Sequence, residues 1–146
     1  MNPNAQSLSR FHEAQKLSYP RALQEIKNGK KITHWMWYIF PQITGLGMSS
    51  MSHLYAIKNI SEARAYLHDV TLGKNLREIT SVLLELNQSD PVAIFGNIDA
   101  VKLRSCMTLF AVAADDPTPF LSVLDKYFHG KKDGRTLSIL YDQSKQ

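Results

Sequence analysis

Two stretches of the chain concentrate side chains able to do chemistry. The first reads His34-Trp35-Met36-Trp37-Tyr38-Ile39-Phe40-Pro41-Gln42, followed by Gly45-Leu46-Gly47 and then Tyr55. An imidazole can move a proton, an indole offers a flat apolar wall, and an amide orients a ligand by donating and accepting hydrogen bonds. His34, one of Trp35 and Trp37, Gln42 and Tyr55 therefore suit the rim of a pocket. The plainer reading is that these aromatics fill a core. Trp35 and Trp37, one residue apart, cannot share one helix face.

The second stretch is Asp99-Ala100-Val101-Lys102-Leu103-Arg104-Ser105-Cys106-Met107-Thr108. Lys102, Arg104 and Ser105 near a helix start suit an anion, because cations and unpaired backbone N–H groups gather there. Asp99 joins His34 as a candidate for proton transfer. The bland alternative is a helix cap with an Asp99–Lys102 ion pair three residues apart, a contact of a few tenths of a kcal/mol.

Other chemistries lack their residues. The five histidines are scattered and Cys106 is the one cysteine, so no metal signature, no cofactor motif and no disulfide is expected. A reducing, cytoplasmic setting follows. Neither a Gly-x-Ser-x-Gly elbow nor a phosphate-binding Gly-Lys-Ser/Thr loop occurs. Gly45-Leu46-Gly47-Met48-Ser49-Ser50 imitates a dinucleotide fingerprint, but that motif needs a strand, a long helix and a parallel sheet around it. The polar Met1–Ser9 stretch does not have a secretory layout, and no apolar run approaches the roughly 20 residues of a membrane span. The net charge of +4 arises from pairs such as Lys30–Lys31 and Lys131–Lys132, with Arg135 nearby. Acidic residues interleave with them, which favours solvated helix ends over nucleic-acid binding. Oligomeric state is not encoded in any of these features.

Hydrophobic spacing and punctuation predict an all-α single domain over 1–146, built of about eight short helices with little or no strand. A short helix presenting Phe11, Ala14 and Leu17 is expected to stop at Ser18-Tyr19-Pro20. A second, carrying Ala22, Leu23 and Ile26, should end at Asn28-Gly29. The aromatic run is read as a short helix because no partner strand is visible. Asn59 with Glu62 resembles a capping box, and Asp69 should cap a helix whose stripe is Leu72, Leu76, Ile79, Leu83 and Leu86. A turn of helix after Asp90-Pro91 breaks at Phe95-Gly96. Helices beginning near Asp99, Asp116 and Asp133 complete the chain.

The two chemistry-bearing stretches, with Tyr55-Ala56-Ile57, Ala63-Arg64-Ala65-Tyr66-Leu67, Ile94-Phe95-Gly96 and Met107-Thr108-Leu109-Phe110, resemble a bacterial family of unknown function, sometimes labelled calpastatin. The likeness spans about 8–140. It implies a compact all-α domain and brings no established activity or catalytic residues. Cys106 stands where that family usually has a second serine, and Met48 where a basic residue is common. The calpastatin label has no physical support, since such inhibitors are disordered and poor in aromatics. Phe95-Gly96-x-x-Asp99 also resembles, at three positions, a stretch of helical N-glycosidases that act on ADP-ribosyl or phosphoribosyl compounds.

The residues together suggest a domain that binds an anionic small molecule, such as a nucleotide or sugar phosphate, between the two stretches. Trp35 or Trp37 would stack, and Lys102 and Arg104 would carry charge. A protein-contact module using an aromatic patch is the competing expectation.

Overall fold

Helix boundaries follow local chemistry closely. The computed structural model describes residues 3–146, with side chains from Leu8 onward, and Met1 and Asn2 of the polar N-terminal stretch lie outside the described residues. Within it the chain forms α1 (Pro3–Lys27), α2 (Met36–Ile39), α3 (Ser50–Leu54), α4 (Ile60–His68), α5 (Val70–Glu85), α6 (Pro91–Ala113), α7 (Thr118–Phe128) and α8 (Gly134–Ser144). The fold is all-α, and among the described residues one bridge outside the helices pairs Ile43 with Ile57 in parallel. Among the described residues no helix is long and apolar enough to cross a membrane.

Aspartate or asparagine side chains start α4, α5, α6 and α8. Asn59 Oδ1 accepts from the Glu62 N–H at 2.9 Å, Asp69 Oδ1 from Thr71 and Leu72, Asp90 from Val92, and Asp133 from Thr136. Each satisfies donors that the first helical turn leaves unpaired. Positive-φ residues close two other helices: α1 ends at Gly29 (φ 79°), and α7 at His129 (φ 55°) and Gly130 (φ 76°).

Two expectations fail at α1. It is one helix and does not stop at Pro20. Proline removes one N–H, leaving the Lys16 carbonyl without its helical donor. Lys16, Leu17 and Pro20 are all exposed, so water can meet that carbonyl. Meanwhile Phe11, Gln15, Tyr19, Ala22 and Ile26, three or four residues apart, are buried along one face and hold both halves straight. Leu17 points outward at 91% exposure, opposite to its predicted role.

The break at Gly96 is where the sequence places it. Gly96 has φ 80° and ψ 170°, a conformation closed to other residues, and it divides α6 into a short entry and a long buried rod. Asp99 does not cap that rod; its carboxylate pairs with lysines instead.

α5 packs on α1, α4 and α7, while α6 packs on α7, α4 and α8. Leu72, Leu76, Ile79 and Leu83 are buried as their spacing predicts. Between the helices Phe11 meets Tyr66 edge-on at 5.1 Å, Tyr66 meets Phe110 at 5.4 Å, and Phe110 meets Phe120 at 6.0 Å. Phe40 links Trp35 to Phe95 in a second chain of rings. These aromatics supply much of the buried apolar area that stabilises the fold.

Candidate functional site

Trp37 and Gln42 from the first stretch, and Lys102 and Ser105 from the second, come together where α6, α8 and the glycine loop meet. A groove of about 340 Å³ runs there. One wall is the Gln42–Gly47 loop with Leu46. The second is the α6 face of Ile98, Val101, Lys102 and Ser105, and the third is the α8 start with Asp133 and Arg135. A smaller recess under Trp37, Gln42 and Tyr55 shares Gln42 and Gly47 with it.

Local features hold each wall. The Ile43–Ile57 bridge pins the loop, with the Thr44 N–H donating to the Ile57 carbonyl and the Ile57 N–H to the Gln42 carbonyl, both at 2.8 Å. Gly47 lies so close to Ser52 that a Cβ would fall 2.4 Å from its Oγ. Asp133 Oδ2 accepts from Ser105 Oγ at 3.2 Å and from Thr136 Oγ1 at 2.6 Å, tying α8 to α6. The Ser105 hydroxyl thus serves the joint between two walls.

The charges are arranged around Asp99. Lys31 Nζ lies 2.9 Å from Asp99 Oδ2, and Lys102 Nζ lies 3.4 Å from Oδ1. Each ammonium also sits over an indole, Lys31 at 5.1 Å from the Trp35 ring and Lys102 at 5.2 Å from that of Trp37. One carboxylate therefore faces two cations, which leaves positive charge in excess at the Lys102 end. Across the groove Arg135 makes one long bond, Nη2 to the Gly45 carbonyl at 3.4 Å, and is otherwise exposed. Leu46, Ile98 and Val101 supply apolar surface between the cations. Such an arrangement can hold an anionic group attached to an apolar body.

The remaining sequence candidates lie elsewhere. Trp35 is core, 1% exposed, and its indole N–H donates to Glu25 at 2.9 Å. His34 is exposed beside a different hollow, with Ser18, Arg21 and Tyr38, which shares no residue with the groove. Arg104 is a clamp: Nε and Nη2 donate to the Lys131 and Lys132 carbonyls at 2.8 and 2.7 Å, fixing the turn before α8. Tyr55 lines the smaller recess and packs against the Phe11 and Tyr38 rings, and burial raises its hydroxyl pKa. Among the described residues no group of three or more His, Cys, Asp or Glu side chains is placed to hold a metal ion.

Sequence reasoning missed Arg135 and Asp133 as groove residues. The signal available was their position at the capped start of a helix following a basic pair, which fixes no direction in space. It also missed Glu25. This carboxylate, 8% exposed, accepts from the Ile32 and Thr33 N–H groups, the Thr33 hydroxyl and the Trp35 indole. Burial alone would raise its pKa, but those bonds together hold it down at about 2.

An all-helical domain with a cation-rimmed groove between two helices and a glycine loop is the class that these features define. The chain belongs to the family described as "Protein of unknown function (DUF1810)", whose pattern matches residues 5–140. It is similar to the conserved hypothetical protein Rv1873 from Mycobacterium tuberculosis, known from a crystal structure, at 41% identity and a TM-score of 0.90. That likeness covers 92% of this chain and 96% of the mycobacterial one. No curated protein matches the chain.

Proposed function

We propose that the protein binds a small anionic molecule, a nucleotide or sugar phosphate, in the groove between the Gln42–Gly47 loop, α6 and α8. The observation that carries this reading is the meeting of Lys102 and Arg135 across an apolar-walled groove. Neither cation is locked in place: Lys102 is 3.4 Å from its carboxylate and Arg135 is 3.4 Å from its carbonyl. Both can turn to an incoming anion at small cost, and Arg135 can engage it through two parallel N–H groups. Gln42 would orient the ligand, and Trp37 would hold the Lys102 ammonium at the rim.

The test is thermal unfolding in the presence of anionic metabolites. A ligand at 100 times its dissociation constant adds about 2.7 kcal/mol of stability, enough for a clear shift in Tm. Lys102→Ala should keep stability within about 1 kcal/mol of the parent and lose the ligand-induced shift. A full shift in Lys102→Ala would overturn the reading. A contact patch for another protein is the competing reading, favoured by the exposure of Ile98 (75%) and Val101 (62%) at the groove edge. Absence of any metabolite-induced shift in the parent, together with loss of a retained protein partner in an Ile98→Ser/Val101→Ser double variant, would favour it.

A further inference from the structure

The two ammonium groups beside Asp99 are not alike. Lys31 Nζ is 2.9 Å from Asp99 Oδ2 and its side chain is 8% exposed, whereas Lys102 Nζ is 3.4 Å from Oδ1 and 22% exposed. We propose that Lys31 is a positioning residue for the anion groove: by neutralising Asp99 from behind, it releases the Lys102 ammonium to the ligand. This inference rests on the groove reading and adds to it a residue that lines no part of the groove.

Lys31 is held where it stands. Its backbone N–H donates to the Ile94 carbonyl at 2.8 Å, joining the segment after α1 to the entry of α6. Its ammonium lies 5.1 Å from the centre of the Trp35 ring, and that indole is itself anchored through its N–H to Glu25. An ammonium in so closed a setting is costly unless a carboxylate answers it, and Asp99 supplies one. The pair is neutral as a unit and little screened by salt.

With Asp99 already answered, Lys102 keeps the longer contact and has the Trp37 ring, 5.2 Å away, as its second neighbour. Removing the Lys31 charge would reverse this balance. Asp99 would then have Lys102 alone, three residues on in the same helix, and a phosphate entering the groove would compete with that carboxylate for one ammonium. Capture of Lys102 would leave Asp99 without a partner, and its charge would repel the ligand. While Lys31 is present neither cost arises. A pair that only fastened two segments would affect the groove equally whether or not residue 99 carried a charge. A positioning role works through that charge alone.

The experiment is an NMR titration of the full-length, ¹⁵N-labelled protein with inorganic phosphate at constant ionic strength, following the Val101, Lys102 and Arg135 amides. Lys31→Met keeps the apolar stem of the side chain and removes its charge. The expected result is saturable shifts in the parent, their loss in Lys102→Ala, and affinity about fivefold or more weaker in Lys31→Met. In an Asp99→Asn background the same Lys31→Met change should move the affinity by less than about twofold, because the two substitutions act on one interaction. Lys31→Gln replaces Lys31→Met throughout should the methionine variant not give a folded spectrum. Undiminished affinity on loss of the Lys31 charge, or an equal loss in both backgrounds, would overturn the positioning role and leave the groove reading standing. A parent that gives no saturable shifts would overturn both.

Discussion

Glu25 gathers four donors around a buried carboxylate, and it joins α1 to the segment that leads into the aromatic run. Glu25→Gln replaces an ion with a neutral amide whose NH2 faces the same donors, and should cost about 2–4 kcal/mol in chemical denaturation. The pH dependence has a definite sign. A carboxyl held at about 2 against an ordinary 4.5 contributes stability that is complete above pH 4.5 and lost as pH falls through 2. Its share is roughly 1–3 kcal/mol, so the fall in stability between pH 5 and 2 should be shallower in Glu25→Gln than in the parent. Cys106 shows the opposite behaviour. Fully enclosed, its thiol is pushed well above the ordinary value by burial alone, and it should resist thiol reagents until the protein unfolds. Rapid labelling under native conditions would contradict this. The caps at Asn59, Asp69, Asp90 and Asp133 were legible from sequence because acceptor and donors lie two or three residues apart. Glu25 was not, since its partners stand seven to ten residues away across a turn whose path only the fold decides.

At the scale of elements, Leu76 sits 1% exposed in the α5 stripe, and Leu76→Ala should cost about 2–5 kcal/mol. An unchanged denaturation midpoint would refute this register. Gly73, in the first turn of α5, lies against the last turn of α4. A Cβ there would lie 2.0 Å from the Leu67 carbonyl oxygen, so Gly73→Ala must push the two helices apart. A loss of roughly 1–3 kcal/mol or more is expected, and a variant as stable as the parent would show that the helices part freely. Lys126 illustrates an end that no local motif announces. Its ammonium donates to the Leu83 and Leu84 carbonyls at 2.9 and 3.1 Å, and to that of Leu86, closing α5 from a different helix. Pro20 failed as a stop signal for a related reason: the buried face of α1 outweighs one missing hydrogen bond.

For the whole molecule, periodicity and punctuation were enough for the all-α class, because most elements here declare themselves over a few residues. The site was legible only in part. Residue type pointed to Trp37, Gln42, Lys102 and Ser105, which do converge, but the same reasoning gave equal weight to Trp35, His34 and Arg104. What separates them is direction in space: Trp35 turns inward to Glu25, His34 faces another hollow, and Arg104 reaches down to a turn. Arg135 enters the groove from α8, a contact that forms only once the C-terminal helix has docked.

The chain's two tryptophans differ in a way that light can read. Trp35 is sealed from water, whereas Trp37 is half-buried beside the groove with the Lys102 ammonium over its ring. An indole shielded from water emits at shorter wavelength, since no mobile dipoles relax around its excited state. Trp35 should therefore be the blue component of the emission, and Trp37 the redder one that an added quencher reaches first. In a Trp37→Phe variant the colour should report unfolding and ignore ligands, and in Trp35→Phe it should follow any movement of Lys102. The molecule carries its own pair of optical probes, one for the core and one for the groove.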